Sequence, residues 1–386
     1  MKLLRIEAKG LPLFKEGLDI IFYAQQRVYE EDKNNLIELF SNVYLNPAVG
    51  FIGINASGKT TVLNTICLVL DILNNQPINH SPSKAILGNT EKAIFNTYYC
   101  SDENKVCKLQ TVIKSEQIPG EGIKYSISDE TLWVKPAESV LTRKMVTDFE
   151  AVAPLYTRND ADEFLPADVS IIIAYNKRTG DRLMTANLLQ FTDINIISFS
   201  GTIHPEIIEF LDPTIERISI DEDVNNSHNV TIHLKFKGKD EIILHNQLEL
   251  NSYLSSGTIK GIAAFTLAWG ILASGGILVI DEIENHFNKE IVASMIRLFM
   301  DTRFNEKGGV LLYSTHYPEL LDEYDRNDSI YITRNNRGLS IENLHSLIKR
   351  NDIKKSDAYQ SGILEGTTPS YEAYIRLKKS FAKAML

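Results

Sequence analysis

The sequence is poor in cysteine: its three cysteines, Cys67, Cys100 and Cys107, form no CxxC pair. An odd number of widely spaced cysteines builds no disulfide framework and does not match the spacing of zinc ligands. We therefore expect this chain to work in a reducing, cytoplasmic environment.

The sequence also lacks an apolar leader, because charged residues recur within its first seven positions. The longest uncharged run, 261–280, has the length of a membrane span but contains Ser274-Gly275-Gly276. We interpret this run as a buried helix ending near Ala273, a glycine turn and a short buried strand over 277–280. A membrane protein is therefore not expected.

Positive charge is scarce. The 386 residues include 40 Lys and Arg against 50 Asp and Glu, a formal charge of -10, which argues against a surface that coats nucleic acid. Residues 341–386 are an exception, with eight Lys and Arg against five Asp and Glu. Any contact with a polyanion would have to be local. No internal repeat that would predict a solenoid is visible.

A complete phosphate-binding motif, GxxxxGK[ST], lies between a strand-like run at 49–52 and a helical pattern over 60–73. It consists of Gly53, Ile54, Asn55, Ala56, Ser57, Gly58, Lys59 and Thr60, and Thr61 follows it. In such loops backbone N–H groups surround phosphates at a helix N-terminus. We predict that Lys59 contacts the β- and γ-phosphates and that the Thr60 hydroxyl ligates Mg²⁺. The alternative is a glycine turn with a solvated lysine.

Two carboxylates, Asp281 and Glu282, follow the aliphatic run 277–280. The carboxyl ends of parallel strands are where ligands bind in α/β sheets. We predict that Asp281 holds Mg²⁺, directly or through water, and that Glu282 accepts a proton from the attacking water or orients it. A second strand-like run, 310–313, leads to His316, which we expect to contact the γ-phosphate. The alternatives are a solvated acidic turn and a structural histidine.

A serine-glycine segment, Leu254-Ser255-Ser256-Gly257-Thr258, stands at a predicted helix start 27 residues before Asp281. The Ser255 hydroxyl, the Gly257 amide and the helix dipole would form a second anion site. Taken alone, the segment is also typical of an ordinary N-cap.

Together the phosphate loop, this segment, Asp281-Glu282-Ile283-Glu284-Asn285 and Ser314-Thr315-His316 resemble the ABC-type ATPases of the OLD-like AAA group, relatives of SMC and RecF. Asp328-Ser329-Ile330-Tyr331, Tyr359 and Gly362 also fall where such ATPases carry related segments. The resemblance implies an α/β fold: a P-loop ATPase with a mixed sheet core, an antiparallel β subdomain and a helical insertion. It also implies that Ser255 and Gly257 close on the γ-phosphate of another subunit, in a homodimer or higher oligomer. It assigns no role to His286 or Asn288 and leaves the Q-loop glutamine unlocated, with Gln110 and Gln190 as weak candidates.

We divide the chain into four regions. An N-terminal ATPase lobe with the phosphate loop covers 1–135, and a mainly helical insertion covers 136–225. A C-terminal ATPase lobe covers 226–340 and contains the serine-glycine segment 254–258, called the signature segment below, together with the acidic pair and His316. A basic tail covers 341–386.

The resemblance implies a slow, Mg²⁺-dependent ATPase with ATP as its ligand. The chain is too short for the coiled-coil arms of SMC proteins, and the tail is too short for a fused TOPRIM nuclease. We therefore expect a dimeric sensor or scaffold for a separate effector, a nuclease or a toxin, in bacterial antiphage defence. The alternatives are a RecF-like ATP-gated clamp that binds DNA through the basic C-terminal helix, and an ATP-locked scaffold with negligible turnover.

Overall fold

The computed structural model describes residues 1–160, 164–191, 197, 201–223, 226–285, 287–350, 353–364, 366–367 and 371–384. Within them, a central mixed sheet and a large antiparallel sheet form the body of the molecule.

The central sheet carries the phosphate loop. Its strands, in spatial order, are β10 (Thr185–Asn187), β15 (Ile277–Ile280), β16 (Val310–Thr315), β5 (Ala48–Ile52), β17 (Ile330–Asn335) and β18 (Leu339–Asn343). The first five are parallel and β18 is antiparallel to β17. Strands β15, β16 and β5 are buried throughout, as expected of continuous aliphatic runs in a sheet covered on both faces. Their carboxyl ends share one edge, where the predicted site lies.

Three helices cover this sheet, as the apolar periodicity predicts. They are α1 (Lys59–Leu73), α4 (Ser256–Ser274) and α5 (Lys289–Met300). Helix α1 buries eleven of its residues, including Val62, Leu63 and Ile66. The predicted helix ending near Ala273 and the predicted strands over 277–280 and 310–313 are confirmed.

The second large sheet is antiparallel. Its strands, in spatial order, are β2 (Leu18–Ile21), β1 (Lys2–Lys9), β6 (Ala93–Cys100), β7 (Lys105–Ile118), β8 (Gly122–Pro136) and β9 (Pro154–Thr157). It shares one hydrophobic cluster with α1 and with residues of β5 and β15, so the phosphate-loop helix packs between the two sheets. A two-stranded sheet, β3 (Ile37–Phe40) with β4 (Val43–Leu45), lies beside it. The three cysteines are buried and form no disulfide.

The described residues of 136–225, where we predicted a mainly helical insertion, form a mixed segment. They contain two short α-helices, α2 (Ile172–Thr179) and α3 (Pro205–Leu211), and four 3-10 helices, together with β9, β10, β11 (Gly201–Thr202) and β12 (Ile215–Asp223). Strand β12 joins a four-stranded antiparallel sheet with β11, β13 (Asn226–Phe236) and β14 (Ile242–Leu244). A register shift at the start of β12 spaces its buried residues as Ile215, Ile218 and Ile220. This i, i+3, i+5 pattern hides the period of two that identifies a strand.

Helix α4 connects this small sheet to the central one. Its first half belongs to the small sheet's hydrophobic cluster through Ile259 and Ile262, and its second half packs into the central cluster through Phe265, Ala268 and Ile271. It is the one helix in the described ranges that is long and apolar enough to cross a membrane, but its position between two clusters is that of a core helix. The glycine turn follows, with Gly275 at φ 76°.

The region after 340 is not a separate tail at its start. Strand β18 crosses the predicted boundary, and α6 (Leu344–Leu347) and α7 (Lys355–Gln360) contribute Leu344, Ala358 and Tyr359 to the central cluster. Helix α8 (Tyr371–Ala384) is exposed over most of its length.

Candidate functional site

The phosphate loop has the backbone of a strand, a tight loop and a helix. Ala56 and Gly58 take positive φ values of 62° and 95°, and α1 begins directly after Gly58. Because the loop ends at the helix N-terminus, the first N–H groups of α1 face the cleft, where a phosphate can accept from them.

Residues of strands β17 and β18 pack against this loop. A Cβ on Gly53 would lie 2.2 Å from Ser57 Oγ and 2.4 Å from Thr333 Oγ1. Thr333 Oγ1 donates to the Ile52 carbonyl at 3.2 Å, so the Ser57 hydroxyl donates to Thr333 Oγ1 at 2.8 Å. A Cβ on Gly58 would lie 2.6 Å from Leu339. The loop therefore packs too tightly for side chains at either glycine.

We expect Gly53→Ala to lower nucleotide affinity by at least about tenfold, because the added methyl must displace Ser57 or Thr333 from the loop. Gly270→Ala is the matched control, since its Cβ would meet no atom within 4 Å and its φ is not positive. Titration with a fluorescent ATP analogue measures both. Equal affinity of the two variants would contradict the packing argument.

Lys59 is almost fully buried, with 5% of its surface exposed. Its Nζ donates to the Gly53 carbonyl at 3.0 Å and lies 3.3 Å from His316 Nδ1. Burial lowers the pKa of Lys59, and the carboxylates of Glu282, Asp281 and Glu284 act in the opposite direction. An ammonium group can only donate hydrogen bonds, so His316 Nδ1 accepts and the ring proton resides on Nε2.

Thr60 and Asp281 meet at the edge of the sheet. Thr60 Oγ1 donates to Asp281 Oδ2 at 2.7 Å, and Ser314 Oγ donates to Asp281 Oδ1. Thr60 belongs to α1 and Asp281 to the turn after β15, and the two residues lie 221 positions apart in the chain. The predicted pair of metal ligands is therefore together in the structure.

This oxygen pair fits Mg²⁺. Mg²⁺ is usually held by one or two protein oxygens together with waters and substrate phosphates, rather than by an all-protein cage. Thr60 Oγ1 and Asp281 Oδ2 supply two such oxygens beside the phosphate loop. In the described residues no group of three or more His, Cys, Asp and Glu side chains could hold a metal ion.

Glu282 faces the cleft from a strained backbone. Its φ is 48°, a conformation that costs a non-glycine residue about 1–3 kcal/mol. Two hydrogen bonds hold it: Glu282 N donates to Ser314 Oγ at 2.8 Å, and Ile283 N donates to the Ser314 carbonyl at 3.0 Å. Its side chain is 43% exposed, and Oε1 lies 3.4 Å from His316 Nε2. Lys59, His316 and Glu282 thus form a continuous row.

Ser255 and Gly257 do not join this row. Ser255 is exposed and caps α4, its Oγ accepting from Thr258 N at 3.0 Å. The phosphate-loop cleft, ≈ 640 Å³, is lined by Pro12, Leu13, Asn55, Ala56, Gly58, Lys59, Thr60, Thr61, Glu282, His316, Asn335, Gly338 and Leu339. A larger groove, ≈ 850 Å³, lies between β2 and β18. It includes none of the four residues that line the smaller cleft and carry the predicted chemistry, Lys59, Thr60, Glu282 and His316, so the smaller cleft is the candidate site.

The other sequence candidates have structural positions. Gln110 Nε2 donates to Asn96 Oδ1 at 2.9 Å within the antiparallel sheet, and neither Gln110 nor Gln190 lines the phosphate-loop cleft. Asn288 caps α5, its Oδ1 accepting from Ile291 N at 3.0 Å. His286 lies outside the described residues.

Asp328 and Tyr331 also hold the fold together. Asp328 is fully buried and accepts from Gln25 N at 2.7 Å and from Arg326 Nη2 at 2.6 Å. The Tyr331 hydroxyl donates to the Ile21 carbonyl at 3.0 Å. Both residues therefore join β17 to the antiparallel lobe.

Sequence reasoning missed several supporting residues. Ser314 orients Asp281 and Glu282, Thr333 and Leu339 support the loop, and Asn335 Nδ2 donates to the Ala56 carbonyl at 3.2 Å. The Ser314 hydroxyl precedes His316 by two residues, which is a local signal. Asn335 and Leu339 come from strands remote in sequence and carry no such signal.

A strand, a phosphate loop and a helix, with acids at the end of a parallel strand one position further along the sheet, define a P-loop nucleotide-binding protein. Residues 113–322 match the model of a family described as "AAA domain, putative AbiEii toxin, Type IV TA system". Because the match covers more than half of the chain, the protein belongs to this AAA domain family. The matched range contains the signature segment, the acidic pair and His316, and the fold places the phosphate loop beside them. Comparison with curated proteins found no match.

Proposed function

We propose that this protein is a Mg²⁺-dependent ATP hydrolase of the ABC type that closes as a homodimer and controls a separate effector. The observation that carries the proposal is the convergence of Lys59, Thr60, Glu282 and His316 on one cleft, with Asp281 hydrogen-bonded to Thr60. Membership of an AAA family supports nucleotide binding. Measurement of Mg²⁺-dependent phosphate release from ATP by the purified chain tests the proposal directly.

Each side chain in the row has a chemical task. Lys59 would exchange one of its present acceptors for a phosphate oxygen and neutralise developing charge. His316 would present its Nε2 proton to Glu282 or to the γ-phosphate. Glu282, the exposed carboxylate, would accept the proton of the attacking water. Bound Mg²⁺ would neutralise phosphate charge, with Thr60 and Asp281 as its protein ligands.

The dimer is proposed from the position of the signature segment. Ser255 and Gly257 stand at an exposed helix N-terminus outside the cleft of their own chain. Nearby Leu248 and Tyr253 are 60% and 47% exposed. A helix N-terminus favours an anion, so the segment is suited to a phosphate held by a second copy.

We expect Ser255→Arg to abolish ATP-dependent dimerisation, because a long cationic side chain would stand where the two copies meet. ATP affinity of the single subunit should change by less than about threefold, since Ser255 contacts no part of the phosphate loop. Light scattering after gel filtration and nucleotide titration measure the two properties. Ser255→Ala is the control for loss of the helix cap, which costs about 1 kcal/mol. A fully active, dimerising Ser255→Arg protein would contradict the shared site.

The effector is proposed to be a separate nuclease or toxin, within bacterial antiphage defence in the cytoplasm. The family description names a toxin–antitoxin system, which supports a partnership of this kind. Copurification of the ATP-bound protein followed by mass spectrometry tests it. Recovery of no nuclease, toxin or other effector would end this part of the proposal.

A DNA clamp is the second candidate. Helix α8 favours it, because Arg376, Lys378 and Lys379 are exposed beside exposed Tyr374 and Phe381. Binding through phosphates must weaken steeply with added salt. Fluorescence anisotropy with duplex DNA tests this candidate, and the absence of binding at low salt would remove it.

A further inference from the structure

Glu284 is a third carboxylate beside the cleft. It lies two residues after Glu282, and only 8% of it is exposed. Its Oε1 accepts a hydrogen bond from the backbone N–H of His316 at 2.5 Å. Strand β16 ends at Thr315, so His316 is the first residue beyond the sheet and this carboxylate replaces the missing strand partner.

The acidic turn and the end of β16 are thereby linked three times. Glu282 N donates to Ser314 Oγ, Ile283 N donates to the Ser314 carbonyl, and His316 N donates to Glu284. The first two bonds set the position of Glu282. The third sets the position of His316 through its backbone N–H.

The second carboxylate oxygen of Glu284, Oε2, is destabilising where it lies. Oε2 is buried and accepts no hydrogen bond from the residues that the structure describes. A buried polar atom without a partner costs about 1–3 kcal/mol, and more when it is charged. The bond from His316 to Glu284 is therefore kept although the other carboxylate oxygen stays unsatisfied. This cost indicates that the placement of His316 matters.

We propose that Glu284 is a positioning residue that holds His316 in line between Lys59 and Glu282 during hydrolysis. Its role rests on the proposed ATP hydrolysis. The length of its side chain is what matters, because the carboxylate spans the gap between the acidic turn and the end of β16. Lys59 keeps its own contact with Gly53, so we expect the phosphate loop to bind nucleotide without the bond between Glu284 and His316.

Two substitutions distinguish the length of the side chain at position 284 from its negative charge. Glu284→Gln keeps an acceptor oxygen at the same distance and removes the charge, whereas Glu284→Asp keeps the charge and withdraws the oxygen by one methylene. We expect kcat of the Gln variant within about threefold of the parent and kcat of the Asp variant lowered by at least about tenfold. ATP affinity should stay within about threefold in both. The reverse order of the two variants would overturn the proposal.

A double-mutant cycle with His316→Ala completes the test. We expect His316→Ala to lower kcat by about 100-fold. Glu284→Asp should lower it no further in that background, because the backbone bond from His316 to Glu284 matters only through the imidazole that it positions. An equal loss in both backgrounds would show that Glu284 acts independently of His316 and would overturn the proposal.

Failure of the proposed function would look different. If the parent protein hydrolyses no ATP, or if His316→Ala is fully active, the assignment of the cleft fails before Glu284 is tested. If His316→Ala is impaired and both Glu284 variants behave like the parent, the role of Glu284 alone is wrong.

Discussion

Lys59→Ala is expected to bind ATP at least about 100-fold more weakly than the parent protein. The substitution removes the cation that would pair with the ATP phosphates, and truncating one partner of a buried charge pair costs several kcal/mol. The side chain is 95% buried and its Nζ reaches into the cleft beside His316. In water-excluded sites such a cation stabilises phosphate charge far more than an exposed lysine can. Isothermal titration with ATP measures the loss.

Lys114→Ala is the matched control for Lys59→Ala. Lys114 lies exposed on β7 in the antiparallel sheet, so its removal should leave ATP affinity within about twofold. The thermal transition of Lys59→Ala should also be recorded, since Lys59 Nζ bonds the loop carbonyl of Gly53. A folded Lys59→Ala protein that binds ATP like the control would show that the loop is not a nucleotide site.

The phosphate loop could be predicted from the sequence because all of its ligating groups are local. The glycines, Lys59 and Thr60 lie within eight consecutive residues between a strand and a helix, and their chemistry depends on that local geometry. Asp281, Glu282 and His316 were also within reach, since each follows an aliphatic run that reads as a buried strand. Parallel strands bring such ends to one edge, as the structure confirms.

The supports of the site could not be predicted in the same way. Thr333 and Leu339 pack against Gly53 and Gly58 from more than 270 residues away, and nothing in their own neighbourhood marks them. The side chain of Glu284 was visible as a third acid, but its bond to the backbone of His316 depends on where β16 ends. Contacts of this type follow from the tertiary fold, not from local pattern.

The secondary structure of 136–225 could not be predicted for a different reason. Short apolar runs there fit both periods, and the register shift at the start of β12 removes the alternation that would decide between them. Length usually separates helices from strands. Here it does not, because the two α-helices have only eight and seven residues and the strand β12 has nine.

The row formed by Lys59, His316 and Glu282 makes Glu282→Gln the most informative variant of the turnover step. Glutamine has the shape of glutamate and can still accept from His316 Nε2, but it cannot take a proton from water. We expect kcat to fall by at least about 100-fold while ATP affinity stays within about threefold. The backbone strain at φ 48° and the bond from N to Ser314 Oγ do not involve the side chain, so folding should be unaffected.

With turnover disabled, bound ATP should hold two copies together, and light scattering with Mg²⁺ and ATP should report a dimer that disappears without nucleotide. Glu290→Gln on α5 is the control, because its side chain is 74% exposed and remote from the cleft lining. Normal hydrolysis by Glu282→Gln would exclude Glu282 as the base. A catalytically silent protein that binds ATP yet stays monomeric would instead leave the base in place and remove the shared site, because each copy would then complete its own phosphate contacts without the signature segment of the other.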